Sequence, residues 1–280
     1  MSPEDRSTAL EAVVRDGRIA PVTSPFVRVE PPPGSARFRV AGTGAAGRLR
    51  EKLVVGRNIS QGVLEQYRKL AASLHYAQSQ HGTRVLMMTS TLAGEGKTLT
   101  ATNLALTLSE SYRRRVLLMD ADLRRPTVHD LFDLPNVSGL NDVLHAREAS
   151  LRCELFEVTP QLSVLTAGRP NPDPIGGLTS ERMRQLVAAG TAEFDWVIID
   201  TPPVGLLTDA RLMSSIVDAV IFVVAAGATP YRLIHRAVEA LGRDRIFGVV
   251  LNKVAAKDLW RDYGSYSYSY YGYGTAGTKD

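Results

Sequence analysis

Cysteine is almost missing from this 280-residue chain. Cys153 stands alone, so no internal disulfide forms, and such usage fits a reducing compartment. No catalytic partner pattern surrounds it, and it reads as a small half-buried hydrophobe. Long apolar runs are missing too. The longest, Ala219-Val-Ile-Phe-Val-Val-Ala-Ala226, is far shorter than the roughly 20 residues that cross a bilayer, and reads as a buried strand. The opening Met1-Ser-Pro-Glu-Asp-Arg6 is polar and carries no mark of a secretory signal. A cytoplasmic protein is expected, one that reaches a membrane only through a partner. Charge of one sign is scarce as well. Lys and Arg total 33 against 29 Asp and Glu, and this scattered net charge of +4 argues against a nucleic-acid partner.

What is present is a core. Hydrophobic residues make up 44% of the chain, enough for a packed domain. Residues 1–50 read as a weakly structured region, because Pro21, Pro25 and Pro31 to Pro33 interrupt any long element. Within it Ala41-Gly-Thr-Gly-Ala-Ala-Gly47 reads as a flexible linker, and a short helix fits 9–15. A helix is expected over 62–80, where Val63, Leu64, Tyr67, Leu70, Leu74 and Ala77 recur at helical spacing. Apolar strands are expected at 85–89, 116–120, 162–166, 196–200, 219–225 and 246–251. Helices are expected at 99–111, 126–132, 140–144, 180–189, 209–215 and 232–241. Near-continuous apolar strands that alternate with helices predict an α/β fold of P-loop NTPase type, a doubly wound, mostly parallel sheet over 51–258. In such sheets ligands bind beyond the carboxyl ends of the strands. Residues 259–280 form a low-complexity tail that holds six of the ten tyrosines: Tyr263, Tyr266, Tyr268, Tyr270, Tyr271 and Tyr273.

The strongest local pattern is Val85-Leu-Met-Met-Thr-Ser-Thr-Leu-Ala-Gly-Glu-Gly-Lys97-Thr98, a strand, a glycine-containing turn and Lys-Thr at a helix mouth. That is the layout of a phosphate-binding loop. The backbone of Ala93, Gly94, Glu95, Gly96, Lys97, Thr98 and Leu99 is positioned to wrap phosphates, Lys97 adds a positive charge, and the Thr98 hydroxyl suits Mg²⁺. ATP and Mg²⁺ are the implied ligands. Thr91 occupies the usual first glycine position.

Carboxylates follow at other strand ends. Leu117-Leu-Met-Asp120-Ala-Asp122-Leu-Arg124 supplies two, and Val197-Ile-Ile-Asp200-Thr-Pro-Pro203 a third. Asp200 suits a metal-supporting role, with Thr98 and Asp120 as the other metal candidates. Asp120 and Asp122 suit positioning and deprotonating an incoming hydroxyl. Capping of the next helix is the alternative use of a strand-end Asp. Arg124 and Arg125 can neutralise phosphate charge. Asn252 closes the last strand, where it can touch a base.

These motifs together resemble the bacterial tyrosine kinases, the autokinases of capsule and exopolysaccharide production. Ser90-Thr-Leu-Ala-Gly-Glu-Gly-Lys-Thr98 is similar to their Walker A, Leu117-Leu-Met-Asp-Ala-Asp-Leu-Arg124 to their Walker A′, and Val197-Ile-Ile-Asp-Thr-Pro-Pro203 to their Walker B. The tyrosine-rich end is the fourth match. The resemblance implies an ATP- and Mg²⁺-dependent kinase that labels tyrosines in its own tail. Lys97, Asp120, Asp122 and Asp200 then carry the chemistry. It also implies a homo-oligomer, a membrane polysaccharide co-polymerase as activator, and a tyrosine phosphatase. The family's ring-contact motif Glu-x-x-Arg-x-x-Arg is met by Glu65 and Arg68, while Ala71 takes the third place. No transmembrane portion accompanies the core, as in stand-alone cytoplasmic members. Two other readings stay open: a MinD/ParA-like ATPase switch, and a catalytically weak ATP-binding scaffold. The switch enzymes carry an early loop lysine where this chain has Leu92.

Overall fold

The computed structural model describes residues 24–32, 44–55, 59–146, 152–171, 174–206 and 210–255. Eight strands form one sheet: β1 (Phe26–Val29), β2 (Val85–Ser90), β3 (Val116–Asp120), β4 (Cys153–Thr159), β5 (Leu162–Leu165), β6 (Trp196–Asp200), β7 (Ala219–Ala225) and β8 (Ile246–Asn252). Their spatial order is β1-β4-β5-β3-β6-β2-β7-β8, and every pairing is parallel except β4 with β5. The central strands are buried along their whole length, as expected of strands covered on both faces.

The helices are α1 (Gly44–Arg50), α2 (Gln61–His81), α3 (Lys97–Leu106), α4 (Val128–Phe132), α5 (Leu140–His145), α6 (Ile175–Leu178), α7 (Glu181–Glu193), α8 (Ala210–Ser215) and α9 (Tyr231–Leu241). They divide between the two faces. Leu86, Met88, Leu118 and Ile198 share one core with α2, α3 and α4. Met87, Leu117, Met119 and Ile199 share the other with α5, α6, α7 and α9. Alternate residues of each strand therefore serve opposite cores, the two-residue period of extended chain. The Cys153 thiol lies in the second core, where burial pushes its pKa up to about 12.

Several expectations need correction. The segment expected to be weakly structured supplies strand β1. Phe26 is buried there, the strand pairs with β4, and Arg28 binds Glu157 and Glu193. Pro25 is tolerated because β1 is an edge strand, needing few backbone donors. The glycine-rich stretch expected as linker contains the start of α1, since Leu53 beyond it is anchored in a core and Arg50 binds the Asp130 carbonyl. Strand β4 was not anticipated, because Glu154 and Glu157 break its apolar run. Val63 is exposed rather than part of the core stripe, and buried Ala71 takes a place on it instead. The helix expected to reach 111 is α-helical only to Leu106. A wider π-helical turn follows, where the hydroxyls of Thr107 and Ser109 hydrogen-bond to backbone carbonyls. The helix expected at 9–15 and the tyrosine-rich tail lie outside the described residues.

Candidate active site

Three neighbouring strands build the site. The phosphate-binding loop leaves β2, Asp200 ends β6, and Asp120 ends β3. Asp120 and Asp200 are direct cross-strand partners in a parallel register, and Met88 pairs with Asp200 on the other side. Both carboxylates occupy the strand parity of Leu118 and Ile198, so they emerge on the face that α3 and α4 cover.

Lys97, the first residue of α3, reaches into this cluster. Its ammonium donates to Asp122 Oδ2 at 2.7 Å and lies 3.6 Å from Asp200 Oδ1. The Thr98 hydroxyl donates to Asp200 Oδ2 at 2.7 Å. Burial works against the Lys97 charge, but the carboxylates of Asp200 and Asp122 outweigh it and leave its pKa above normal. Burial also raises Asp120, assisted by the Asp200 charge, to about 8. Asp200 is raised mainly by burial, with Lys97 and Thr98 opposing the shift. The cluster therefore concentrates negative charge that burial alone would not tolerate, an arrangement that suits a cation.

Mg²⁺ is the implied cation, and the donor set fits it. The oxygens are hard, and Asp200 Oδ1 is buried with no hydrogen-bond partner. Among the described residues no group of three or more His, Cys, Asp or Glu forms a complete cage. Asp120 is differently engaged. Its Oδ2 accepts from the N–H groups of Thr127 and Val128 and its Oδ1 from that of Asp122. It thereby organises the loop that presents Asp122.

The phosphate-binding loop is held from inside. Gly94 and Gly96 have φ of 81° and 96°, the left-handed region that a side chain disfavours. A Cβ on Gly96 would lie 2.0 Å from the Asn252 amide nitrogen. The Glu95 carboxylate is buried. It accepts from Leu92 N–H at 2.6 Å, from Ala225 N–H at 3.2 Å, and from the Thr229 hydroxyl. Asn252 donates to the Glu95 carbonyl at 2.8 Å. Glu95 thus faces inward with its side chain, leaving only its backbone for phosphates, and Asn252 braces the loop from the end of β8.

The other expected residues spread outward. Ala93 and Arg124 are exposed at the rim, and Leu99 packs beside the core below the loop. Glu65 and Arg68 stand away from the site on α2, 3.9 Å apart and exposed. Thr127 was not anticipated. Its hydroxyl lies 3.3 Å from that of Thr98, and its N–H holds Asp120. Its position directly after Pro126 was the only hint. Thr229 carried no signal at all, because its role depends on the β7 end meeting the loop.

The sequence profile of the CobQ/CobB/MinD/ParA nucleotide binding domain matches residues 86–262, which include every strand-end carboxylate. Tyrosine-protein kinase YwqD of Bacillus subtilis (strain 168) is 35% identical over 218 residues, 77% of this chain and 87% of that protein. The chain belongs to the bacterial tyrosine kinases. Within this family it resembles tyrosine-protein kinase wzc of Salmonella typhi at 32% identity over 78% of this chain, but spans only 30% of that longer protein. The crystal structure of the chimerical protein CapA2B2 superposes with a TM-score of 0.65 at 29% identity, covering 73% of this chain and 90% of that one. This bacterial tyrosine kinase is accordingly a nucleotide-binding protein-tyrosine kinase.

Proposed function

We propose that the chain is an ATP- and Mg²⁺-dependent autokinase that phosphorylates the tyrosines between Tyr263 and Tyr273 and serves capsule or exopolysaccharide production. The observation that carries this reading is the Lys97, Thr98, Asp122 and Asp200 cluster at three adjacent strand ends. Lys97 and the loop N–H groups hold the outer phosphates of ATP. Thr98 and Asp200 hold Mg²⁺, with Asp120 behind them. The ion neutralises charge that builds on the phosphate oxygens. Asp122, at the outer edge of the cluster, accepts the proton as a tyrosine oxygen attacks the terminal phosphorus. The bond from that phosphorus to the bridging oxygen breaks, and ADP leaves with the electron pair.

A Gly/Ser-rich tail offers tyrosine after tyrosine to one site, and tethering raises its effective concentration to about the millimolar range. Each phosphate adds about −1.5 to −2 charge to a neutral segment, which repels neighbouring subunits or the activator. A homo-oligomer that uses Glu65 and Arg68, a membrane-anchored polysaccharide co-polymerase as activator, and a tyrosine phosphatase complete the reading. Among the described residues no helix is long and apolar enough to cross a membrane.

Incubation with ATP and Mg²⁺, followed by phosphotyrosine detection and mass spectrometry of the tail, tests the activity. Labelling of the tail that disappears in Lys97→Ala is expected. Phosphate release without tail labelling would instead make the chain a nucleotide switch.

A further inference from the structure

The two sides of the site differ in chemistry. On one side β7 and β8 present Ala225, Thr229 and Asn252, which brace the phosphate-binding loop. On the other side two loops leave the neighbouring strands β3 and β5. Leu123 of the first accepts from the N–H of Asn171 in the second at 2.8 Å, so the two loops touch. Arg125 lies two residues beyond this contact on the first loop, and Arg169 two residues before it on the second.

Both arginines sit on fixed backbone. The Arg125 N–H donates to the Asp122 carboxylate at 3.2 Å. The Arg169 carbonyl accepts from Asn141, whose own side-chain oxygen accepts from Asn171. The next residue inward, Gly168, donates to Asn136. Yet both residues are exposed, and neither guanidinium meets a carboxylate among the described residues. Of the acids beside them, Asp122 is engaged by the Lys97 ammonium at 2.7 Å, and Asp142, whose Oδ2 lies against Gly168, accepts from the Gly139 N–H at 2.9 Å. Two guanidinium groups without an acidic partner among the described residues therefore sit on hydrogen-bonded turns on the Asp122 side of the site.

An unmodified tail offers such a pair no net negative charge. Residues 259–280 carry Arg261 and Lys279 against Asp262 and Asp280, a net charge of zero. The first phosphate changes this, because it adds about −1.5 to −2 charge and three strong acceptor oxygens. Planar guanidinium groups match a phosphate through paired hydrogen bonds.

We propose that Arg125 and Arg169 form a landing site for phosphotyrosine already present in a tail, so that one modification holds the segment while a neighbouring tyrosine enters the site. The inference rests on the tail-kinase reading for its purpose, but its binding step is independent of catalysis. Successive labelling then becomes processive: a tail that has gained one phosphate gains the next faster than an unmodified tail gains its first.

The test uses the full chain, stripped of phosphate and without ATP. Fluorescent peptides of residues 259–280 are titrated in three forms, with Tyr266, phosphotyrosine or glutamate at that position. The phosphotyrosine peptide is expected to bind about tenfold more tightly than the unmodified one. The preference should weaken as salt is raised from 0.05 to about 0.5 M. In Arg125→Gln/Arg169→Gln it should fall below about twofold, while the melting temperature of the nucleotide-free protein is unchanged because both side chains are exposed. Arg125→Lys/Arg169→Lys should fall between, because charge persists without the paired geometry. Equal affinity for modified and unmodified peptides, binding of neither, or a preference that survives in the glutamine variant would each overturn the landing site. A glutamate peptide that binds as well as phosphotyrosine overturns the assignment to phosphate. Absence of tail labelling with ATP would sink the kinase reading alone and leave these affinities to be judged by themselves.

Discussion

Asn252 donates its side-chain amide to the Glu95 carbonyl at 2.8 Å, so the last residue of β8 clasps the middle of the phosphate-binding loop. The Glu95 side chain completes the clasp by binding the end of β7 through Ala225 and Thr229. The loop is thus built into the sheet edge as well as into its own helix.

Glu95→Ala removes acceptors from buried donors, which costs about 1–3 kcal/mol for each group left unpaired. It is expected to raise KM for ATP about tenfold, with a smaller effect on kcat, and to lower Tm by several degrees. Glu95→Gln, which retains one acceptor oxygen, should lie between. Steady-state kinetics with a tail peptide and thermal melting check this. An unchanged KM in the alanine variant would contradict the bracing role.

Gly96→Ala should abolish nucleotide binding for two separable reasons: its Cβ would collide with Asn252, and its φ of 96° is strained for alanine. Adding Asn252→Ala removes only the collision. The double variant should therefore regain part of the ATP affinity of Asn252→Ala and none of the strain penalty, which is about 1–2 kcal/mol. Calorimetric titration of the three proteins distinguishes the two causes.

Lys97→Met should lower phosphoryl transfer at least about 100-fold, because a positive charge aimed at the transferring phosphate is lost. It also leaves Asp122 and Asp200 without their cation, and breaking a buried pair costs about 3–5 kcal/mol. Tm without nucleotide is expected to fall by ~10 °C. Added Mg²⁺ should recover more of that loss than added Na⁺ at equal ionic strength.

The Cys153 thiol has a pKa of about 12 against an ordinary 9.0, so at pH 8 its thiolate fraction is about a thousandfold below that of a free thiol. Iodoacetamide should label it only after unfolding. The folded state favours the protonated form. This contribution to stability is therefore fully present below pH 9 and is lost as pH rises toward 12. Alkylation followed by mass readout, with and without urea, measures it.

Ala71→Arg would restore the full Glu-x-x-Arg-x-x-Arg pattern, yet Ala71 is completely buried beside Leu74. The substitution should lower Tm by ~10 °C or prevent folding, because an unpaired charge would enter an apolar core. A soluble Ala71→Arg protein with native Tm would mean that α2 does not lie as described.

The six strongly apolar strands were legible because each runs without interruption between turn signals, as Ala219–Ala225 does. The cluster was legible in part for the same reason. Asp120 and Asp200 terminate apolar runs, and strand parity sends both carboxylates to the α3 face. The remaining features depend on meetings that no local pattern records. Phe26 becomes core only because β4 lies beside it, and β4 itself is masked by exposed Glu154 and half-buried Glu157, although it is paired on both sides. Thr127 reaches Thr98 only through the path of the loop after Asp122. Glu95 read as a loop residue facing phosphate, and its inward turn depends on Thr229, 134 positions away.

Asn103 sits at the middle of α3, and its side chain accepts from Val54 and donates to the carbonyl of Lys52. A few residues earlier Arg50 grips the Asp130 carbonyl and the Asp133 carboxylate at the far end of α4. One short stretch of chain thus holds both helices whose opposite ends carry Lys97 and frame Asp120. A pull on that stretch from the amino-terminal side loads both supports of the reaction centre at once, like a cord tied to two hinges of the same door.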